Sequence, residues 1–515
     1  MTKTASGIAY LCRSRIRNTN TNDVRAQTLD FHMIWYMILK MEERLKKLEK
    51  LKELGVNPYP YRFDRSHTFR QIRDNFDELS KAEGRVRACG RVVTVRGHGK
   101  TLFATLVDEA DRMQVYLRKD RLGENFDLFQ YFDVGDFMGL EGTVFKTKTG
   151  EITVLVDSYV LLSKSLRPLP EKWHGLRDIE VRYRKRYLDL IANTEVRDIF
   201  KKRTQLINSM RQFLNGQGFI EVETPVLQSI YGGAAANPFE THYKALEQDM
   251  FLRIADELYL KRLIVGGYEK VYEVCRDFRN EGIDRMHNPE FTMLELYQAY
   301  ADYNDIMELV EQLMEHLLTD VGDVKKLAFV DKEIEISRPF KRVRYVDSLN
   351  EKLGLDVLSA SESEIDKHCE QHGIDYRKLA LGSKIDKLFG ELVQKNLIEP
   401  TFVLDYPKVI SPLAKLHRDD DRLVERFEFI VFGVEIANAF SELNDPVEQR
   451  KRFENQIAHK EEGIREVDED FIQALEHGMP PTGGIGIGID RLCMVLLNQP
   501  SIRDVILFPQ LRKES

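Results

Sequence analysis

Residues 271–299, VYEVCRDFRNEGIDRMHNPEFTMLELYQA, read as two strands joined by a turn, with no room for a helix between them. The first run alternates, so Cys275, Asp277, Arg279 and Glu281 fall on one face at period two. In the second run Phe291, Met293, Glu295 and Tyr297 share a face. The connecting GIDRMHNP carries Gly282 and Pro289 as turn residues, with His287 and Asn288 at its end. Strands that follow one another without a crossover pair antiparallel. The segment therefore predicts an α+β fold on a mixed or antiparallel sheet rather than a doubly wound one. A hairpin that presents an Arg, two Glu, a Tyr and a Phe together is either a charged site or a salt-bridged surface.

Two further segments extend this reading. In RFEFIVFGVEIANAFSELN (426–444), Asn438, Phe440 and Glu442 share one face. Glu428 and Glu435 flank the Phe432–Gly433 turn, where paired carboxylates can hold Mg²⁺ against a polyphosphate. Glu435 has the wrong parity for the Asn438 face, so a bulge, or use of the other face near the turn, is needed to bring it in. In GGIGIGIDRL (483–492), Gly484, Gly486 and Gly488 leave one side of a strand bare, and Asp490 and Arg491 open the next apolar run. No GxxxxGK[ST] loop is present and no GxGxxG lies between a strand and a helix, so any nucleotide is bound by other means.

Upstream, residues 84–164 read as five short alternating runs: 85–95, 101–107, 113–117, 136–145 and 151–162. Five strands in so few residues predict a small barrel, for which an oligonucleotide-binding barrel is one standard solution. A two-proline stretch from Ser165 marks a linker, taken as 165–185. Residues 195–214 and 305–318 carry apolar residues at helical spacing, and 186–515 is read as one domain with a helical, acidic insertion around 345–400. MEERLKKLEKLKELG from Met41 is strongly helical, with Leu45, Leu48 and Leu51 on one side, and 41–83 forms a helical segment before the barrel. Residues 1–40 hold six Lys/Arg against two acids and show no sustained periodicity. An upstream start or a targeting segment gives this composition, and 1–40 is expected to be a non-native or disordered extension.

The chain has 515 residues, 43% hydrophobic and 31% charged, enough to bury cores in several domains. A net charge of −8, set by an acidic 165–515 against a basic 1–40, argues against non-specific coating of nucleic acid. Five cysteines lie far apart with no CxxC pair, which disfavours a disulfide framework or a cysteine zinc site and fits a reducing cytoplasm. No run of about 18 apolar residues predicts a membrane span.

FRNEG (278–282), HNPEFT (287–292), NAFSELND (438–445) and GIGIGIDR (484–491) together resemble the class II lysyl-tRNA synthetases of bacterial type, from about Met41 to the C-terminus. GFIEVETP (218–225) resembles the first signature of that class, which builds a homodimer interface; FRNE and GIGIGIDR resemble the second and third. The resemblance implies an OB-fold that binds the anticodon, followed by an antiparallel-sheet catalytic domain with flanking helices. It implies ligation of L-lysine to tRNA(Lys) through a lysyl-adenylate, with ATP as substrate and Mg²⁺ as cofactor. The alternatives are the aspartate- or asparagine-type relatives and an inactive tRNA-binding paralogue.

By the same resemblance Arg279 bridges the α-phosphate and the amino-acid carboxylate, and Arg491 holds the γ-phosphate. Phe291 stacks on adenine, Glu281 lies on the adenine side, His287 and Asn288 belong to the ATP site, and Glu428 and Glu435 carry Mg²⁺. Glu257 and the backbone of Gly233 hold the α-amino group. The side chain of lysine can also be argued physically, because an ammonium in a closed pocket must be paired. Glu295 and Glu442 are the carboxylates aimed inward, Tyr297 adds a hydrogen bond, and Asn438 and Phe440 line the stem. In the barrel, Arg96, Phe103, Gln114 and Glu151 match the residues that read the central anticodon base by stacking and base-edge hydrogen bonds. Relatives often carry a basic residue where this chain has Asn237.

Overall fold

A computed structural model of the chain describes residues 21–97, 99–170, 176–322, 325–458 and 466–513. The chain divides into two compact units, the first ending at Trp173 and the second starting at His174. Residues 1–20 of the 1–40 extension, including Cys12, and part of the linker lie outside the described residues.

The first unit opens on helix α1 (Thr21–Glu53). The helix expected to begin at Met41 therefore starts a full 20 residues earlier. Nothing between Thr21 and Met41 is a Gly or Pro that would stop it. Leu48 and Leu51 are buried, and Arg44 is held by the carbonyls of Val134, Ser165 and Arg167. Strands β1 (Arg85–Arg96), β2 (Thr101–Val107), β3 (Arg112–Arg118), β4 (Phe137–Lys146) and β5 (Ile152–Ser163) close a barrel in the order β1-β2-β3-β5-β4. Only β3 and β5 run parallel. Alternation sorts the residues: Ala104, Leu106, Met113, Val115 and Leu117 are buried inside, and Phe103, Thr105, Gln114 and Tyr116 stand on the outer face. The linker is shorter than its sequence suggests, because Asp178 caps a helix over Ile179–Arg184 by accepting from the Val181 N–H.

The second unit is built on one eight-stranded sheet. Helix α2 (Glu195–Gly216) precedes the short strand β6 (Ile220–Glu221), and helix α3 (Glu257–Val265) precedes the hairpin of β7 (Lys270–Phe278) and β8 (Glu290–Ala299). Helix α4 (Tyr303–Val321) follows, started by a capping box at Asp302 and Asp305. Then come β9 (Lys341–Arg344), β10 (Thr401–Pro407), β11 (Leu423–Val431), β12 (Val434–Ser441) and β13 (Thr482–Gly488), which runs directly into α5 (Ile489–Leu496). The order across the sheet is β9-β10-β11-β12-β13-β8-β7-β6. Every neighbouring pair is antiparallel except β9/β10 and β7/β6.

The segment read as an insertion has a topological role. Three helices, Tyr345–Leu353, Glu362–Gln371 and Leu381–Leu392, form the crossover that a parallel β9/β10 pair requires. They bury their own core, in which Tyr345 and Phe389 stack with centroids 4.1 Å apart.

One face of the large sheet is apolar. Tyr272, Leu294, Leu296, Ile485, Ile487, Phe427 and Phe429 pack under α2, α4 and α5. The expected apolar face of α4, with Ile306, Val310, Leu313 and Leu317, lies in this core. The opposite face is free to be polar, and the candidate site lies there. Phe402 on β10 is fully buried, with ring centroids 5.1 Å from both Phe427 and Phe429. Phe402→Ala is expected to destabilise the second unit by about 3–5 kcal/mol. The check is a lowered midpoint in denaturant-induced unfolding with an unchanged slope.

Candidate active site

Strand register assembles the polar face in rows. One row runs Glu273, Glu295, Gly486, Asn438, Glu428 across β7, β8, β13, β12 and β11. The next runs Val271, Tyr297, Gly484, Phe440, Arg426. Three stretches far apart in sequence thus share one surface, with the glycine strand at its centre. The glycines are required there: a Cβ at Gly484 would overlap Glu442 Oε1 and the Tyr297 ring, and one at Gly486 would overlap Glu295.

The parity problem at Glu435 is resolved by a bulge. Phe429 pairs with Ala437 but Ile430 pairs with Glu435, so Ile436 is the extra residue. Ile436 and Ala437 are both buried on the apolar side, which returns Glu435 to the face of Asn438 and Glu428. The alternation in FRNE, by contrast, does not run as far as read. Strand β7 ends at Phe278; Arg279 still donates its N–H to Pro289 O at 2.9 Å, but Glu281 turns back onto Arg279 O and is exposed. Arg279 and Glu281 are therefore loop residues at the strand's end, because the turn begins one residue after Phe278.

At one end of the surface lies a closed, acidic pocket. Glu257, Glu295 and Glu442 are all buried, the last to 1% exposure. Tyr297 donates to Glu295 Oε2 at 3.3 Å. Burial pushes the Glu295 carboxyl well up, reinforced by Asp256 and Glu257. Gly233, at φ +89°, brings its backbone against Glu257: a Cβ there would lie 3.5 Å from Glu257 Cβ. Asn438 and Phe440, both half-buried, stand over the glycine strand beside it. Asn237 is exposed, and its carbonyl accepts from the Asn280 N–H at 2.8 Å.

Cations occupy the rest of the surface. Arg279 lies over Phe291, with Cζ 5.0 Å from the ring centroid, and its Nε is buried without a partner. Arg491, in the first turn of α5, donates to Glu435 Oε2 at 2.9 Å and to His287 Nε2 at 3.1 Å. Asp284 holds the other nitrogen of that imidazole at 2.9 Å. The Asn288 amide donates to Glu290 O and accepts from the Gln510 N–H, which fixes the loop. Asp490 accepts from the Thr292 N–H at 2.7 Å and pairs with Arg203 on α2, so it anchors α5 to β8.

Glu428 and Glu435 suit a hard divalent cation. Burial and the neighbouring Glu435 push Glu428 up to about 7 against the pull of Arg426. A carboxyl pushed up by burial and by a neighbouring carboxylate is what a bound cation would relieve, and oxygen donors suit Mg²⁺.

Three cations, Arg253 and Lys261 buried and Arg426 half-buried, were missed in the sequence. Arg426 donates to Asn438 Oδ1 at 3.0 Å and to Glu428 Oε1 at 2.7 Å, and so joins the stem of the pocket to the carboxylate pair. Arg253 pairs with Glu273 at 2.8 Å and with Asp277 at 3.3 Å, which leaves Glu273 engaged despite its place in the row. Lys261 is fully buried against Glu257 at 2.5 Å and against Glu442. Two had a signal: Arg426 lies two residues before Glu428 on a strand, and Lys261 four after Glu257 on a helix.

In the barrel, Arg96, Phe103 and Tyr116 form one row on the outer face. Phe103 and Tyr116 stack with centroids 4.4 Å apart, and Phe145 continues the aromatic surface at 6.2 Å. Phe103 is half-buried and outside the barrel core. Gln114 donates to Thr153 Oγ1 at 3.0 Å, and Glu151 meets Arg73 at 3.4 Å.

Residues 178–512 match the family described as tRNA synthetases class II (D, K and N), and residues 86–162 match the OB-fold nucleic acid binding domain. The chain belongs to the class II tRNA synthetases. Among curated proteins it is 52% identical to a lysine–tRNA ligase of Thermotoga maritima over 477 residues, covering 91% of this chain and 95% of that one. It is 52% identical to the lysine–tRNA ligase of Pelotomaculum thermopropionicum over 481 residues, 92% and 94% of the two chains. The figure for that of Staphylococcus epidermidis is 49% over 488 residues, 92% and 99%. Within the class, the chain falls in the lysine–tRNA ligase family.

Gly486→Ala is expected to push Glu295 out of the pocket and raise the KM for the amino acid by about tenfold or more. The KM for ATP, measured in the same pyrophosphate-exchange assay, should change by less than about twofold.

Proposed function

We propose that the second unit joins L-lysine to ATP as an adenylate and passes the lysyl group to tRNA(Lys), with the polar face of the sheet as the site. The observation that carries this reading is the trio of buried carboxylates, Glu257, Glu295 and Glu442, on the polar face of the sheet. A pocket of that charge selects a substrate with two ammonium groups. A substrate that supplies only one would leave a carboxylate buried and unpaired, at a cost of several kcal/mol. An aspartate- or asparagine-type pocket needs a cation in that place.

Glu257 and the backbone of Gly233 hold the α-ammonium. Glu295 and Glu442 take the ε-ammonium with help from Tyr297, and Asn438 and Phe440 flank the methylene stem. Arg279, its Nε unspent, bridges the substrate carboxylate and the α-phosphate. Phe291 stacks on adenine beside Glu281, and Arg491 and His287 receive the γ-phosphate end. Asn288 serves the ATP site by holding this loop. Glu428 and Glu435 would hold Mg²⁺, which supplies positive charge to the polyphosphate.

No protein nucleophile is needed. The lysine carboxylate attacks the α-phosphorus, pyrophosphate leaves, and the 3′-hydroxyl of the terminal tRNA ribose then takes the acyl group. Catalysis consists of holding the reacting atoms in line and countering the charge that develops on phosphorus, the task of Arg279.

In the barrel Phe103, beside Tyr116, stacks on the central anticodon base, while Arg96, Gln114 and Glu151 recognise its edge. Exposed Ile220, Val226 and Leu227 lie at and beside the β6 edge of the large sheet, within and just after the segment that resembles the first class signature, and they favour a homodimer through that edge. Among the described residues no helix is long and apolar enough to cross a membrane, and work in the cytoplasm suits an enzyme whose substrates are lysine, ATP and tRNA.

ATP–pyrophosphate exchange, with each of the twenty amino acids offered singly, tests the substrate: lysine alone should support it, and exchange with aspartate or asparagine would overturn the pocket assignment. Glu442→Gln should raise the KM for lysine by about tenfold to a hundredfold with little change for ATP, because it removes a partner of a buried charge. Equal losses for both substrates would remove Glu442 from its role. Phe103→Ala should slow tRNA charging by about tenfold or more while exchange continues at nearly the parental rate, since base stacking contributes about 1–3 kcal/mol.

A further inference from the structure

Asp256 stands at the N-cap of α3, where a carboxylate ordinarily accepts from the first free N–H groups of the helix, yet it makes no such bond. It is fully buried, and neither of its carboxylate oxygens has a hydrogen-bond partner. Cys275 and Asp277, two residues apart on β7, are buried beside it. One ligand atom from each of the three residues lies within 4.8 Å of the other two. Asp277 Oδ2 is also without a partner, while its Oδ1 accepts from the Cys275 thiol at 3.9 Å and lies 3.3 Å from Arg253 Nε.

The charges here do not balance. Asp256, Asp277 and Glu273 share Arg253, which pairs with Glu273 at 2.8 Å. Arg279 also attracts Asp277, but its guanidinium lies over Phe291. Even with both guanidiniums counted, the three acids lack one positive charge. Without a further cation, protons make up the difference. Burial and the neighbouring Asp277 push the Asp256 carboxyl well up, burial does the same to the Cys275 thiol, and Asp277 is pushed up to about 6.

We propose that Asp256, Cys275 and Asp277 form a site for one divalent cation of the zinc class, which ties the start of α3 to strand β7. Two carboxylates and a thiolate suit a borderline cation such as Zn²⁺, whereas Mg²⁺ and Ca²⁺ take oxygen donors alone. Neighbouring ligands of a tetrahedral Zn²⁺ stand about 3.5 Å apart, so the cluster closes on the ion by about 1 Å. The second oxygen of Asp256, or a water, takes the fourth position. The ion displaces the protons that otherwise fill the cluster, and the sulfur binds as thiolate. The site is separate from the Glu428 and Glu435 pair, because β7 and β11 are four strand spacings apart, about 19 Å. Its donors adjoin the reaction site in sequence, since Glu257 follows Asp256 directly and Arg279 lies two residues after Asp277. The ion thus holds together the two segments that carry those side chains. No CxxC pair announces the site, because its single sulfur and two carboxylates come from a helix start and a strand.

Cobalt substitution in the full chain tests this. Co²⁺ occupies zinc sites, and bound to a thiolate it gives an intense sulfur-to-metal charge-transfer band that oxygen-only sites lack. The chain is expressed in zinc-free medium supplemented with Co²⁺, so that the closed site fills as the chain folds, and is purified in excess Mg²⁺ to displace cobalt from oxygen-only sites. About one bound cobalt per chain is expected, with the charge-transfer band. Cys275→Ser, nearly the same in size, should lose the band, and Asp256→Asn should retain less than about a tenth of the bound cobalt. If Asp256→Asn does not fold, Cys275→Ser decides alone. A native chain that carries no cobalt, cobalt bound without the band, or a band undiminished in Cys275→Ser would each overturn the proposal. None of these readouts depends on which amino acid the neighbouring pocket takes.

Discussion

The site depends on a strand that has no side chains on one of its faces. Strand β13 alternates glycine with isoleucine: Ile485 and Ile487 are buried in the core under α4 and α5, while Gly484 and Gly486 leave the opposite surface bare. Glu295 and Tyr297 from β8, and Glu442 at the end of β12, lean into the space that Cβ atoms would fill. The same alternation that secures the sheet to its helices therefore creates the floor of the pocket. Any side chain on that floor would displace a charged group rather than a flexible apolar one, and a displaced buried charge has nowhere favourable to go.

That floor is surrounded by acids, and the structure offsets each group of them with a cation. Lys261 lies between Glu257 and Glu442, Arg253 between Glu273 and Asp277, and Arg426 beside Glu428. A buried carboxylate left alone neutralises itself by taking up a proton, and then it can no longer recognise an ammonium or a metal. Asp277 shows the tendency, since burial pushes it up to about 6 even with Arg253 and Arg279 beside it. The three cations come from a helix, a loop and a strand, so no single stretch of sequence reveals the balance.

Period-two alternation carries sequence information a long way in this chain. It placed Glu295 with Tyr297 and Asn438 with Phe440. It also showed where it had to fail: Glu435 needed a bulge, and Ile436 supplies one. What alternation cannot show is where a strand stops. Phe278 is followed by residues that alternate just as well, and only the hydrogen bond from Glu281 N to Arg279 O reveals the turn. Register between distant strands is equally invisible, which is why Arg426 had no assigned role until β12 brought Asn438 against it. The start of α1 at Thr21 has a different cause. Composition marked the segment as foreign, but a helix needs only the absence of breakers, and the segment has none.

The two recognition surfaces solve opposite problems. In the proposed amino-acid site the carboxylates are buried, so selectivity would come from charge that cannot be left unpaired. A neutral analogue of lysine would strand a carboxylate, and rejection by an unpaired buried group is far stronger than rejection by a missing methylene. Phe103 and Tyr116, stacked on the outer face of the barrel, would offer a platform that tolerates any base. Selectivity there has to come from polar groups at the edge of the stack, each exposed to water and worth less. A chain that uses both gains a strict choice of amino acid from a few buried charges, and must spread its choice of nucleic acid over more contacts.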